Sequence, residues 1–231
     1  FEVLLIASYG LVIHAGGARR MRAGVQYVIY NLLGSTLFLF ALAIIYSVTG
    51  TLNMADLAER VSALPADDTA MIRVGAVFLM LVFAIKASIL PLHFWLPETY
   101  ASAPAPVAAL FAIMTKVGAY AILRVHSLMF GPDAGPLAGL LDPWLLPLAL
   151  LTVVIGTVGV LASRGLAQQA AYLVVISAGT LLTAFGMGGA DAFAAGLYYL
   201  AHTTFAAAAL FLLADVLAHA RGDLGGGSVF R

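Results

Sequence analysis

The sequence predicts an all-α membrane protein, a polytopic bundle of transmembrane helices that contains one proline-broken helix. Hydrophobic residues make up 63% of its 231 residues and charged residues 10%, whereas a soluble domain has about 45–50% and about 25%. The apolar residues form long runs separated by Gly, Pro and polar residues, the pattern of membrane spans joined by turns. Cysteine is absent, which excludes disulfides, thiolate metal sites and cysteine-held iron–sulfur clusters within the chain.

The sequence contains seven apolar segments that we interpret as membrane spans, for which about 20 residues are needed; the first of them is shorter. They are 1–15, 24–49, 73–100, 105–127, 143–162, 166–187 and 192–219. The sequence starts inside a hydrophobic run, so we interpret the first segment as cut short and the chain as a piece of a longer protein. The connection GGARRMR precedes the second segment, and the polar stretch 50–72 follows it. Residues 50–57 predict a loop that leads into an amphipathic surface helix.

Arginine distribution predicts the orientation. With the loops numbered in order, Arg19, Arg20 and Arg22 fall on the same side as Arg164 and Arg221. The arginines of the opposite side are diluted by acidic residues. Cytoplasmic loops carry an excess of Lys and Arg, so the first side is predicted to be cytoplasmic.

The third segment contains the predicted helix break, because Pro91 and Pro97 bracket the sequence LHFWL. A proline removes the hydrogen bond to the carbonyl four residues back, which here is that of Ala87. Broken helices persist in membranes only where protein or water bonds the freed groups. Lys86 lies one residue before that carbonyl. A movable cation at a broken helix is typical of transporter sites; the alternative is a simple kink in which Lys86 forms a fixed ion pair.

Both lysines of the chain, Lys86 and Lys116, lie inside apolar segments. Lys86 lies about 20 Å along a helix from Arg73, and Lys116 and His202 lie about 15–16 Å into their segments. All three therefore fall near the middle of a hydrocarbon core about 30 Å thick. A charge there costs from about 2.5 to more than 10 kcal/mol and marks a functional site by default. We predict a proton relay, with these candidate polar spacers: Ser88, Thr115, Tyr120, Tyr199, Thr203 and Thr204.

Glu2 is the candidate counter-charge of Lys86, since a carboxylate and an ammonium in contact control each other's affinity for protons. His202 is interpreted as a titrating member of the relay, and the alternatives are a packed histidine or a haem ligand. His93 falls in the broken region, and Glu98 caps or lines an entrance. Asp215 is interpreted as an interfacial carboxylate.

Several motifs are absent. The sequence has no GxxxxGK[ST] phosphate loop, no GxGxxG and no HExxH motif, and it has no serine nucleophile elbow. We therefore predict no cofactor and no metal. The net charge is zero, so nothing indicates binding to nucleic acid.

The stretch KASILPLHFWLPETYASAPAPVAALFAIMTKVGAYAILRV closely resembles the proton-translocating antiporter-like subunits. That family includes membrane subunits of respiratory complex I and of Mrp-type multisubunit sodium/proton antiporters. The runs FEVLLIASYGLVIHAGG and LYYLAHTTFAAAALFLLADVL are most similar to the antiporter D subunit. The resemblance covers essentially the whole chain.

The resemblance implies a fold with two inverted five-helix repeats, each with one broken helix. Residues 1–127 would hold the later helices of the first repeat, and 143–231 the first helices of the second. It also implies that Glu2 is the essential glutamate and that Lys86, Lys116 and His202 form the relay. The family's central lysine is replaced here by Ala206, and Gln168 and Gln169 stand where charged residues are frequent.

These features predict a subunit of a monovalent cation (sodium)/proton antiporter, a secondary transporter rather than an enzyme. Its expected partners are other subunits of a hetero-oligomeric complex, the lipid bilayer, protons and the cation. Its expected location is the inner (cytoplasmic) membrane. The alternatives are a proton-pumping subunit of a complex I-type NADH:quinone oxidoreductase and a non-conducting membrane scaffold.

Overall fold

The computed structural model describes residues 2–14, 16–65 and 69–224, with every side chain in them except those of Glu2, Leu4, Asp223 and Leu224. Residues 225–231, at the end of the predicted second repeat, lie outside this part. The described residues form nine α-helices and a short 3₁₀ turn at Gly135–Leu137, without a strand. The helices are α1 Glu2–Ile13, α2 Ala18–Thr49, α3 Met54–Ser62, α4 Ala70–Ala87, α5 Trp95–Ser102, α6 Ala105–Met129, α7 Asp142–Ala162, α8 Leu166–Met187 and α9 Ala190–Leu224.

Six of these helices are long and apolar enough to cross a membrane: α2, α4, α6, α7, α8 and α9. They correspond in order to the last six predicted segments, and the first segment corresponds to α1. The prediction of an all-α membrane bundle is confirmed.

The start of α2 differs from the predicted boundary. The helix begins at Ala18, so the arginines at 19, 20 and 22 lie in its first turns and not in a loop. Gly16 and Gly17 directly precede the helix, with φ angles of +68° and +94° that glycine adopts without strain. Long arginine side chains can reach water from the end of a helix, so they do not require an irregular backbone.

The surface helix predicted after residue 50 is confirmed as α3. Asn53 caps it, because its side-chain oxygen accepts hydrogen bonds from the backbone N–H groups of Ala55 and Asp56 at 3.0 and 3.4 Å. Leu57 and Val61 are buried beneath the helix, four residues apart on one face. The opposite face is polar, as expected of a helix lying on the bundle.

The broken helix appears as α4 and α5, joined by residues 88–94. The break begins earlier than the prolines suggest, since α4 ends at Ala87 and Ser88 takes a left-handed φ of +60°. Pro91 lies in the linker. Pro97 lies in the first turn of α5, where a missing N–H is tolerated, so Pro97 follows the break and does not form it.

Contacts between helix ends show that the chain alternates between two sides. Arg20 donates to the carbonyl of Ser102 at 2.7 Å, so the start of α2 and the end of α5 share one side. On the other side, Arg73 donates to the carbonyl of Pro136 at 2.8 Å. There too, His126 and Asp142 join the end of α6 to the start of α7 at 2.9 Å.

Candidate functional site

Lys86 is almost fully buried, and its ammonium donates a hydrogen bond to the side-chain oxygen of Asn31 at 2.8 Å. Asn31 in turn donates through its Nδ2 to the carbonyl of Tyr27 at 2.7 Å. This second bond turns the amide oxygen of Asn31 towards α4. The arrangement satisfies a buried charge that would otherwise be strongly destabilising.

Two glycines lie against Lys86. A Cβ on Gly34 would lie 3.6 Å from Cε of Lys86, an ordinary van der Waals distance, so α2 packs closely along the lysine stem. At Gly118 a Cβ would lie 2.7 Å from the backbone N of Ala87 and 2.8 Å from the carbonyl carbon of Lys86. Because real Cβ atoms do not approach that closely, α6 contacts the last turn of α4 only with glycine at this position.

Lys116 is fully buried in α6 and donates to the hydroxyl of Ser177 in α8. That hydroxyl donates its own hydrogen to the carbonyl of Val174 at 2.8 Å. A serine hydroxyl has one hydrogen and two lone pairs, so a lone pair remains to accept the lysine. Ser177 is therefore oriented as an acceptor for Lys116.

A small cavity is lined by Lys86 and by residues of α6, the helix that carries Lys116. It has room for about one water molecule, and Thr115, next in the chain to Lys116, forms part of its wall. The hydroxyls of Thr115 and Tyr100 lie 2.7 Å apart, and Tyr100 donates to the carbonyl of Phe111 at 2.7 Å. The cavity lining is Leu5, Tyr27, Asn31, Lys86, Trp95, Tyr100, Met114 and Thr115.

Side chains bond two backbone groups at the helix break. The indole N–H of Trp95 donates to the carbonyl of Ile85 at 3.1 Å. The sequence predicts that the break leaves the carbonyl of Ala87 without its helical partner. Trp95 instead bonds the carbonyl of Ile85, two residues earlier, because α4 already ends at Ala87. The N–H of Leu90 donates to the hydroxyl of Thr152 in α7 at 3.0 Å.

The structure does not bring His202 to Lys116. His202 lies on the exposed side of α9, while its neighbour Thr203 is buried and donates to the carbonyl of Tyr199 at 2.8 Å. A part for His202 in the relay stays a prediction. Tyr199 is half-buried, and Thr204 bonds the backbone of its own helix.

Among the described residues, Glu98, Asp215 and His93 have no hydrogen bond or ion pair to a lysine. Glu98 is half-exposed and forms a two-pronged ion pair with Arg19, at 2.8 and 3.3 Å. Asp215 is exposed and lies 3.6 Å from His219 in the next turn. His93 is half-buried, and its Nδ1 atom has no partner among the described residues. Glu2 begins α1, but its side chain lies outside the described part.

Reasoning from the sequence missed Asn31 and Ser177, which accept from the lysines, and Tyr100, which lines the cavity beside Lys86. The available signal was a polar residue inside an apolar span. Asn31 and Gly34 are three residues apart, which places them on one face of α2, but which helix that face meets cannot be known from α2 alone. Within the described ranges, no group of three or more His, Cys, Asp or Glu side chains could hold a metal.

Residues 1–225 match the family described as NADH:quinone oxidoreductase/Mrp antiporter, transmembrane. The chain belongs to this family. Two similar proteins from other organisms are both named as antiporter D subunits. The chain is 44% identical over 221 residues to the probable K(+)/H(+) antiporter D subunit of Rhizobium meliloti, covering 96% of this chain and 41% of that protein. It is 41% identical over 215 residues to the Na(+)/H(+) antiporter D subunit of Alkalihalophilus pseudofirmus, covering 93% of this chain and 42% of that protein.

Solved structures of the family have the same fold. The Mrp complex of Dietzia sp. DQ12-45-1b aligns with a TM-score of 0.80 and 31% identity, over 91% of this chain and 39% of the other. Respiratory complex I of Thermus thermophilus aligns with a TM-score of 0.77 and 26% identity, over 94% and 45%. The antiporter-like fold is thereby confirmed, and the chain spans less than half the length of these relatives.

Proposed function

We propose that this chain is part of a membrane subunit of a multisubunit monovalent cation/proton antiporter, in which Lys86 and Lys116 carry protons across the middle of the membrane. The observation that supports the proposal best is the pair of buried lysines on adjacent packed helices. The relatives named as antiporter D subunits add support. The partners would be the other subunits of the complex, and the location would be the cytoplasmic membrane.

The acceptors on α2 and α8 suit proton transfer. Lys86 donates to the amide oxygen of Asn31 and Lys116 to the hydroxyl oxygen of Ser177, and each of these two acceptors is neutral. A neutral oxygen can accept an N–H from a charged or an uncharged lysine, so it does not fix the protonation state as a carboxylate partner does. Movement of the Lys86 charge towards Lys116 would then drive the Lys116 proton onward by repulsion, which is strong at low dielectric.

Glu2 and His202 are proposed as the two ends of this path. Glu2 would neutralise Lys86 in one state and release it in the other, and His202 would receive the proton beyond Lys116. Their support is the motif resemblance, because the side chain of Glu2 lies outside the described part and His202 lies on the exposed side of α9. Sodium is the proposed cation, although one relative is named for potassium and another for sodium.

The test uses the full-length subunit in its assembled complex, with cation-driven proton movement measured in everted vesicles. Lys86→Ala should abolish exchange while assembly persists, because the transferable charge is gone. Lys86→Arg should also fail, since arginine keeps its proton under all physiological conditions. Val77→Ala, on the exposed face of the same helix, is the matched control and should exchange normally. Normal exchange in Lys86→Ala would exclude the proposal.

A second candidate is a proton-pumping subunit of a complex I-type oxidoreductase, and the structural similarity to Thermus complex I favours it. The two differ in what drives proton movement. An antiporter subunit responds to a sodium or potassium gradient, whereas a complex I subunit responds to NADH oxidation by its assembly. A non-conducting scaffold predicts that neither lysine affects any proton movement.

A further inference from the structure

We infer that Thr152 is a positioning residue for Lys86: it holds the broken helix in place from the neighbouring helix α7. The inference rests on the proposed function, because it concerns how the proton-carrying lysine is held. Thr152 is fully buried, and its hydroxyl lies 3.0 Å from the N–H of Leu90 in the linker between α4 and α5. Lys86 is in the last turn of α4, four residues before Leu90.

The hydroxyl of Thr152 is set up as an acceptor. It donates its single hydrogen to the carbonyl of Leu148, one turn back in α7, at 2.6 Å. That bond leaves its lone pairs to receive a donor from outside the helix. The donor is the backbone N–H of Leu90, which in an unbroken helix would donate to a carbonyl of the preceding turn.

The rest of the linker is bonded within its own segment. The N–H of Ser88 reaches the carbonyl of Ile85, and that of Ile89 reaches the carbonyl of Ala84. The hydroxyl of Ser88 donates to the carbonyl of His93 at 3.4 Å. The bond of Leu90 to Thr152 leaves the segment and joins it to another helix. It therefore fixes where the end of α4 stands relative to α7.

The bond also crosses a predicted boundary. Leu90 belongs to the proposed first repeat, residues 1–127, and Thr152 to the proposed second repeat, residues 143–231. Ile89, next to Leu90, and Ala149, three residues before Thr152, share one hydrophobic cluster with Leu181 and Leu182, so apolar packing borders the bond. A shift of α7 would pull on the linker and hence on the turn that carries Lys86.

Thr157 provides a matched control. It lies five residues further along α7, its hydroxyl donates to the carbonyl of Val153 at 2.8 Å, and it is exposed. Thr152 and Thr157 thus share the bond to their own helix, and the bond to the linker is the difference between them. Valine in place of either residue keeps the shape and removes the hydroxyl.

The experiment compares Thr152→Val, Thr152→Ser and Thr157→Val in the full-length subunit within its complex. Amide hydrogen exchange in the peptide covering residues 88–94 measures the bond directly, and cation-driven proton exchange in vesicles measures transport. We expect Thr152→Val to lose the protection of one amide and to lower the turnover about tenfold, since a lost bond to a buried donor shifts equilibria by about that factor. Thr152→Ser and Thr157→Val should match the wild type in both measurements.

Unchanged protection of the linker amides in Thr152→Val would overturn the inference, because the bond would not be holding the linker. Lost protection with normal turnover would also overturn it, since the bond would then not position Lys86 for transport. Failure of the proposed function gives a different result, because Lys86→Ala would then retain proton exchange in the same vesicles. That result would remove the transport part of the inference. The amide measurement would still decide whether Thr152 bonds the linker.

Discussion

Lys86 shows how a polar side chain on another helix stabilises a charge inside a membrane bundle. Its ammonium donates to Asn31, and Asn31 is oriented by its own bond to the backbone of Tyr27. Hydrogen bonds that involve a charged group contribute about 1.5–3 kcal/mol. Asn31 therefore contributes to where the ammonium lies and to its stability there.

We predict that Asn31→Leu lowers proton exchange at least tenfold and destabilises the subunit by about 1–3 kcal/mol, because the buried ammonium loses an acceptor. Thr36→Val on the same helix is the control, since the Thr36 hydroxyl is exposed and bonds only its own turn at Leu32 in the described structure. Exchange rates in vesicles and thermal unfolding of the purified complex are the measurements. Wild-type exchange in Asn31→Leu would show that Asn31 has no part in proton transfer.

At the scale of the helices, the contact between α4 and α6 sets the relation between the two lysines. Gly118 lies two residues after Lys116 and touches the backbone of Lys86 and Ala87. The same glycine therefore brings the turn carrying one lysine against the helix carrying the other. Tyr100, on the far side of the break, reaches α6 just before Lys116 through Thr115.

We predict that Gly118→Ala separates α4 from α6 and removes most of the proton exchange, while the subunit stays folded and unfolds at a lower temperature. The added methyl meets backbone atoms that cannot move aside, and overpacking of this kind costs about 1–3 kcal/mol. Gly186→Ala is the control. Its Cβ would lie 3.2 Å from the backbone N and the Cα of Leu146, at the α7–α8 contact, nine residues beyond Ser177.

Both variants should unfold at lower temperature than the wild type, and only Gly118→Ala should lose most of its exchange. Equal exchange rates in the two variants would mean that the α4–α6 contact is merely structural.

The helices themselves could be predicted from the sequence, because hydrophobic length is a local property. The predicted segment 166–187 coincides with α8, and 143–162 differs from α7 by one residue at its start. The start of α2 was missed because an arginine at a helix end looks like a loop residue. The positions of Lys86 and Lys116 in buried spans were predictable from their apolar surroundings. Their acceptors on α2 and α8 were not, since those bonds join residues 55 and 61 positions apart.

At the scale of the whole molecule, the two ends of the helix bundle differ in the elements that form them. Ionic or polar contacts to α5 hold the start of α2, while α3 and the 3₁₀ turn cover the opposite end. From the arginines at positions 19, 20 and 22, the positive-inside rule predicts that the first end faces the cytoplasm.

This orientation predicts the labelling pattern of introduced cysteines, for which the cysteine-free sequence is suited. Gly165→Cys should react with an impermeant maleimide in everted vesicles but not in intact cells, because a side chain at Gly165 meets open space on the cytoplasmic side. Leu52→Cys, half-exposed on the opposite side, should react in intact cells. The reverse pattern would invert the proposed orientation.

The burial of both lysines has a consequence for protein chemistry. With Lys86 and Lys116 at 4% and 1% exposure, the folded chain offers no side-chain amine to water, since it has no other lysine. Acylating reagents should leave both lysines unmodified in native membranes and should modify them once the bundle unfolds. Mass spectrometry of acylated peptides then measures the unfolded fraction without an introduced probe. The residues that would carry the proton are thus also the chain's own reporters of its integrity.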